Sequence, residues 1–119
     1  KELAELVAYE HGNIHRSLDL SAAAVLRLLQ RCDALRKPER FAQALWACEC
    51  DARGRWGFEA AAYPQRGRLE QALAVALGVA TGPIAAQAVA AGKQGAAIGQ
   101  AVDAVRVQAL AATLNKPPL

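Results

Sequence analysis

Apolar residues recur along this chain at three- and four-residue intervals, broken by glycine and proline, and almost nowhere alternate. Leu3, Leu6 and Val7 share one helical face, which predicts the end of a helix over residues 2–10. His11-Gly12-Asn13 reads as its stop, with Gly12 able to take the left-handed cap conformation. Ser21 is placed to cap a helix over about 22–36, on which Val25, Leu28, Leu29, Cys32 and Leu35 follow the 3.6-residue period. Lys37-Pro38 ends that helix and opens the next, because proline fits a first helical turn. Residues 38–51 put Phe41, Ala44, Leu45 and Cys48 on one stripe. An irregular loop over 53–65 precedes a helix over 66–80 with Leu69, Leu73, Ala76, Leu77 and Ala80 facing inward. Thr81-Gly82-Pro83 punctuates it. A short helix over 83–91, the turn Gly92-Lys93-Gln94-Gly95 and a last helix over 96–114 carrying Ile98, Val102, Val105 and Leu110 complete the pattern. The tail Lys116-Pro117-Pro118 is expected to fray. The expectation is an all-α fold: one small domain of five to six helices over residues 1–119, without internal repeats.

Composition agrees. Apolar residues make up 54% of the chain but aromatics only 5%, and alanine and leucine dominate, which favours helices over sheets. A chain of 119 residues buries only about two-thirds of its unfolded surface, so modest stability is expected. The net charge of +3 is mildly basic: compatible with a phosphate-backbone partner, without demanding one. Three cysteines, an odd number, read as reduced thiols in a cytosolic protein. There is no signal-peptide pattern and no uninterrupted apolar run of the roughly 18 residues that a membrane span requires, so no membrane partner is expected. The chain opens already in helical register and holds no methionine, so it reads as a piece of a longer polypeptide.

The stretch ACECDARGRWGFE, residues 47–59, carries the most suggestive chemistry. Cys48 and Cys50 lie beside Glu49 and Asp51, yet a structural zinc site needs four ligands, and no Cys or His follows. On a helix the two thiols point about 200° apart. Cys48 falls on the apolar stripe, as a small buried hydrophobe would. His11 and His15 are four apart, but Gly12 and Asn13 argue against a continuous helix between them, and His-Glu-x-x-His is absent. They are the nearest approach to metal donors, and no metal site is assigned. Gly92-Lys93 lacks the Ser/Thr, the upstream spacing and the preceding strand of a phosphate loop. The turn at 92–95 still allows close backbone approach, with amides of the next helix available to a phosphate oxygen and Lys93 adding charge. No nucleophile–base arrangement or carboxylate pair for two magnesium ions is present, so no catalytic residue is assigned. Asp51 can hold Arg53 or Arg55, or cap loop amides; an arginine fork suits carboxylate and phosphate alike. Trp56 or Phe58 is expected to pack rather than stack on a base.

With Asp51-Ala52-Arg53-Gly54-Arg55-x-Gly57-Phe58-Glu59 followed by Tyr63-Pro64-Gln65, the chain resembles the C-terminal part of bacterial tRNA nucleotidyltransferases, the CCA-adding enzymes, of the multifunctional kind with an HD domain. Val7-Ala8-x-x-His11-x-x-Ile14-His15 looks like the late HD region, so residues 1–50 resemble that region and 51–119 the tail. Asp33-Ala34-x-Arg36-Lys37-Pro38-x-Arg40 and Gly92-x-x-Gly95-x-x-Ile98 agree in order. The resemblance implies a parent that adds C, C and A to tRNA 3′ ends from CTP and ATP with magnesium, acting in the cytoplasm. It implies that the catalytic head and the first half of the HD region lie outside this piece, and that the partners are those parts and the acceptor and T arm of tRNA. No cofactor is expected within the chain itself; nickel is the ion an HD activity would take. Arg53, Arg55, Arg66, Arg68 and Lys93 are the candidate phosphate contacts, with Asp51, Gly54, Tyr63 and Pro64 as structural residues. The rivals are a metal-dependent phosphohydrolase remnant centred on His11 and His15, and a helical dimerisation module.

Overall fold

The computed structural model describes residues 2–55 and 57–114. Among them are six α-helices, one short 3-10 turn and no strand. Helix α1 spans Glu2–His15, the 3-10 turn Ser17–Asp19, α2 Ala22–Arg31, α3 Pro38–Arg53, α4 Pro64–Leu77, α5 Thr81–Ala90 and α6 Ala96–Leu114. Helix α1 lies on α3, while α6 packs against α2, α4 and α5. Helix α4 also touches α2, α3 and the 3-10 turn. The result is a flattened slab of 57 × 39 × 19 Å. Its radius of gyration of 16.0 Å exceeds the roughly 13–14 Å of a compact chain this long. A thickness of 19 Å is about two helix layers at ordinary packing distance.

The apolar stripes form the core. Val25, Leu28, Leu29 and Cys32, and Phe41, Ala44, Leu45 and Cys48, are fully buried. They meet Leu69, Ala72 and Ala76 of α4 and Leu110 of α6. Ser21 caps α2 by accepting a hydrogen bond from the Ala24 amide at 3.2 Å. Pro38 and Pro64 each open a helix at a position whose N–H would have no intrahelical partner. The predicted helix over 66–80 is shifted to Pro64–Leu77, and it turns Ala72 inward while Leu77 is exposed. Ala80 lies beyond its end, and α5 begins at Thr81 rather than at Pro83. Of the residues predicted on the final helix, Leu110 is fully buried and Ile98, Val102 and Val105 are half-buried. The tail from 115 lies outside the described residues.

Two further predicted boundaries are wrong for physical reasons. Helix α1 does not stop at Gly12-Asn13 but continues to His15. A glycine inside a helix costs about 1 kcal/mol. Continuing the helix seats Ile14 at 0% exposure, and burying such a side chain is worth about 1.5–3 kcal/mol. Burial outweighs the local preference. Glu10, almost fully buried on the same helix, is held by Arg31 of α2, whose Nε donates to both carboxylate oxygens at 3.1 and 3.3 Å.

Helix α2 ends at Arg31, not at residue 36. The Ala34 amide donates to the Leu29 carbonyl at 2.9 Å and the Asp33 amide to the Gln30 carbonyl at 3.0 Å, the two bonds of a Schellman stop. Leu29 and Ala34, the apolar pair that accompanies such a stop, are both fully buried. Asp33 takes the left-handed position with φ +54°, where glycine is usual. Its carboxylate is held by Arg36, whose hydrogen bonds lower the Asp33 pKa below its ordinary value.

Asp33→Ala keeps the unfavourable φ and loses the carboxylate, so it should destabilise the chain and lower its melting temperature. Asp33→Gly relieves the φ and should cost less. Thermal denaturation of the two variants checks the order; equal losses would refute the strained-stop account.

Candidate functional site

Continuation of α1 brings the two histidines into one column. The rings of His11 and His15 meet edge to face, with centroids 5.9 Å apart. His15 then reaches two other elements. Its Nε2 lies 3.2 Å from the Asp51 carboxylate on α3, and its Nδ1 lies 2.8 Å from the Tyr63 hydroxyl just before α4. Its backbone carbonyl accepts from Gln65 at 2.9 Å. A carboxylate only accepts, so Nε2–H donates to Asp51, and the Tyr63 hydroxyl, which can donate or accept, pairs with Nδ1. Burial pushes the Tyr63 phenol above its ordinary range, so the hydroxyl keeps its proton at neutral pH. Asp51 therefore holds a histidine rather than Arg53.

This arrangement does not suit a metal ion. Both His15 nitrogens are engaged, and His11 Nδ1 faces the Val7 and Ala8 carbonyls at 2.9 and 3.2 Å. Among the described residues no three His, Cys, Asp or Glu side chains converge. Cys48 is buried and Cys50 exposed. Burial raises the Cys48 thiol to about 11 and Cys32 to about 12, so neither offers a thiolate near neutrality.

The structure divides the five candidate cations. Arg53 reaches Glu49 at 3.1 Å and donates to the Ala61 carbonyl at 3.1 Å. Arg66 reaches Glu49 at 3.4 Å and Glu70 at 3.1 Å, and its guanidinium lies 5.4 Å from the centre of the Trp46 ring. Arg68 is half-buried and donates to the Leu20 carbonyl at 3.0 Å. These three tie α3, the loop, α4 and the segment after the 3-10 turn together. Arg55 and Lys93 are exposed and make no hydrogen bond or ion pair through their side chains among the described residues. Exposed Arg27 is in the same state, and Arg16 reaches only Asn13, at 3.3 Å. Sequence reasoning missed Arg16, Arg27 and Trp46; nothing in residue spacing says which arginines find an internal partner.

Lys93 sits in the turn between α5 and α6, where Gly92 (φ +88°) and Gly95 (φ +57°) take backbone conformations that favour glycine. The amides of Ala97 and Ile98 already donate to Gln94 and Gly95. The turn thus offers a phosphate fewer open amides than its sequence suggests. In the segment Arg36–Arg40 the cations are likewise paired: Arg36 with Asp33, and Lys37 and Arg40 with Glu2 at 3.3 and 3.0 Å.

The loop after α3 is built from successive turns. Gly54 stops α3, its amide donating to Cys50 at 2.8 Å, and the Phe58 amide donates to Arg55 at 2.9 Å. A cavity of about 260 Å³ opens here, lined by His15, Ala52, Arg55 and Phe58. Phe58 is 56% exposed and does not pack into the core, against expectation. Trp56, named with it, lies outside the described residues.

Comparison with known proteins gives a consistent set of relatives. A multifunctional CCA protein of Polaromonas naphthalenivorans is 61% identical over 110 residues, which is 92% of this chain and 26% of the relative. That of Variovorax paradoxus is 61% identical over 112 residues, 94% of this chain and 27% of the relative. That of Acidovorax sp. strain JS42 is 56% identical over 115 residues, 97% and 27% respectively. The chain thus spans about a quarter of the length of the relatives it matches. No family model and no solved structure matches it.

The burial of the thiols has a direct chemical consequence. In the folded chain at mildly alkaline pH, a disulfide reagent should modify one thiol quickly, Cys50. Cys48, buried and with its thiol pushed up to about 11, should react much more slowly, and Cys32 more slowly still. Denaturant should expose all three. Equal rates for all three in the native protein would refute the placement of Cys32 and Cys48 in the core.

Proposed function

We propose that this chain, homologous along nearly its whole length to a quarter of the multifunctional CCA proteins, is the C-terminal tRNA-binding and structural portion of a CCA-adding tRNA nucleotidyltransferase. The observation that carries this reading is identity of 56–61% over more than nine-tenths of the chain. In the whole protein, C, C and A are added to the tRNA 3′ end from CTP and ATP, with magnesium serving the catalytic head. The cofactor and nucleotide chemistry belong to that head. The role of this piece is to position the acceptor and T arm in the cytoplasm while the head reacts.

The physics of such binding suits the surface. A-form RNA hides its base edges in a deep, narrow groove, so a helical body grips it through phosphates and shape. A two-layer slab presents a broad face for its mass. Arg55 and Lys93, on separate connections, carry charges not neutralised within the described residues, whereas Arg53, Arg66 and Arg68 hold the slab together. We therefore place phosphate contact on Arg55 and Lys93, and a supporting role on the other three. The HD-type phosphohydrolase alternative lacks support in the donor set: both nitrogens of His15 are occupied by Asp51 and Tyr63. Among the described residues no single helix is long and apolar enough to cross a membrane.

Labelled tRNA titrated with the 119-residue chain should bind more weakly as salt rises from about 50 to 200 mM, each phosphate contact adding about one unit to the log–log slope. Arg55→Ala and Lys93→Ala should each flatten that slope by about one unit without changing the melting temperature. Arg68→Ala should lower the melting temperature instead. Absence of binding at low salt, or slopes indifferent to both substitutions, would overturn the proposal.

A further inference from the structure

We infer that the cavity beside the α3–α4 loop receives one unpaired RNA nucleotide, its base stacked on Phe58 and its phosphate on Arg55. This rests on the RNA-binding reading above and deepens it. The walls of the cavity are His15, Ala52, Arg55 and Phe58, and the volume is about 260 Å³. Phe58 leaves 56% of its surface in water, an unfavourable position for a large aromatic ring with nothing on it. Arg55, the adjoining cation, makes no side-chain hydrogen bond or ion pair among the described residues.

The site is held from several sides. His15 is fixed by Tyr63 at 2.8 Å and Asp51 at 3.2 Å, so its ring can line the cavity but has no nitrogen left to donate. Arg53 pins the far side of the loop through the Ala61 carbonyl, and the Phe58 and Ala61 amides close consecutive turns on the carbonyls of Arg55 and Phe58. The Gly57 amide donates to Glu59 at 3.3 Å. An exposed ring and a single guanidinium on a braced loop match one base and one phosphate. They do not match a paired base, whose faces are covered by its neighbours in the helix. They do not match a nucleoside triphosphate either, because among the described residues only one unpaired cation lines the cavity. Stacking on an aromatic face tolerates any base.

The test compares two fluorescent RNA hairpins of one stem, one blunt and one with a short single-stranded overhang carrying 2-aminopurine. The 119-residue chain should bind the overhang hairpin more tightly and quench its 2-aminopurine. Phe58→Ala should weaken overhang binding by about 5- to 100-fold and abolish the quench, leaving the blunt hairpin unaffected. Arg55→Lys should weaken overhang binding less than Arg55→Ala. Because Phe58 is exposed, both its variants, Phe58→Ala and Phe58→Leu, should fold, and Phe58→Leu, apolar but not aromatic, should also lose the quench. If both hairpins bind the native chain equally and Phe58→Ala is silent, the nucleotide site is refuted while the RNA-binding reading stands. If neither hairpin nor tRNA binds, the broader reading falls with it.

Discussion

Burial of Ile14 is the constraint on which the α1–α3–α4 junction depends. It holds α1 helical through Gly12 and Asn13, and the extra turn carries His15 to the end of α3 and the start of α4. Had α1 ended at residue 10, as its sequence suggests, Asp51 and Tyr63 would lack their common partner. The Gln65 side chain would lack the His15 carbonyl. An aliphatic side chain without chemistry of its own thus positions the polar groups that brace the α3–α4 loop.

A thin slab has many helix ends close to its surface, and arginines secure them. Arg40 donates to the Cys32 carbonyl at the end of α2, and Arg106 of α6 donates to the Ala76 carbonyl at the end of α4. Arg68 likewise donates to the Leu20 carbonyl just after the 3-10 turn, and Arg53 to the Ala61 carbonyl in the α3–α4 loop. The last carbonyls of a helix have no intrahelical partner, and a guanidinium from a neighbouring helix satisfies one while tying two elements. Exposed ion pairs such as Arg66–Glu70 contribute little by comparison. A positive net charge therefore overstates the cationic surface open to a partner: much of it is architecture.

The relatives this chain matches are about three and a half times its length, and His15, Asp51 and Tyr63 at its polar junction hydrogen-bond one another. His15, Asp51 and Tyr63 link α1, α3 and the start of α4. Arg55 and Phe58 after α3 and Lys93 between α5 and α6 lie open on connections, while Arg27 lies open on α2. A rigid scaffold that presents its reactive surface on loops is the usual division of labour in binding proteins.

Much of the fold was legible in the sequence because its signals are local. Ser21 before an apolar stripe, proline at the first turns of α3 and α4, the Phe41–Cys48 stripe and the bounds 96–114 of the last helix depend on neighbours within a turn or two. The stop of α2 was misplaced because Asp33 rather than glycine takes the left-handed position there. The extent of α1 was misplaced because the decision lay with the burial of Ile14 in tertiary packing. The site was legible only as a set of residue types. Which arginine meets a carboxylate, which meets a carbonyl and which is left open depends on groups up to 50 residues away in sequence, such as Tyr63 and Gln65 around His15. A long, many-jointed cation has no partner preference encoded in its own spacing. Packing gave Arg53, Arg66 and Arg68 partners within the chain and left Arg55 and Phe58 facing water.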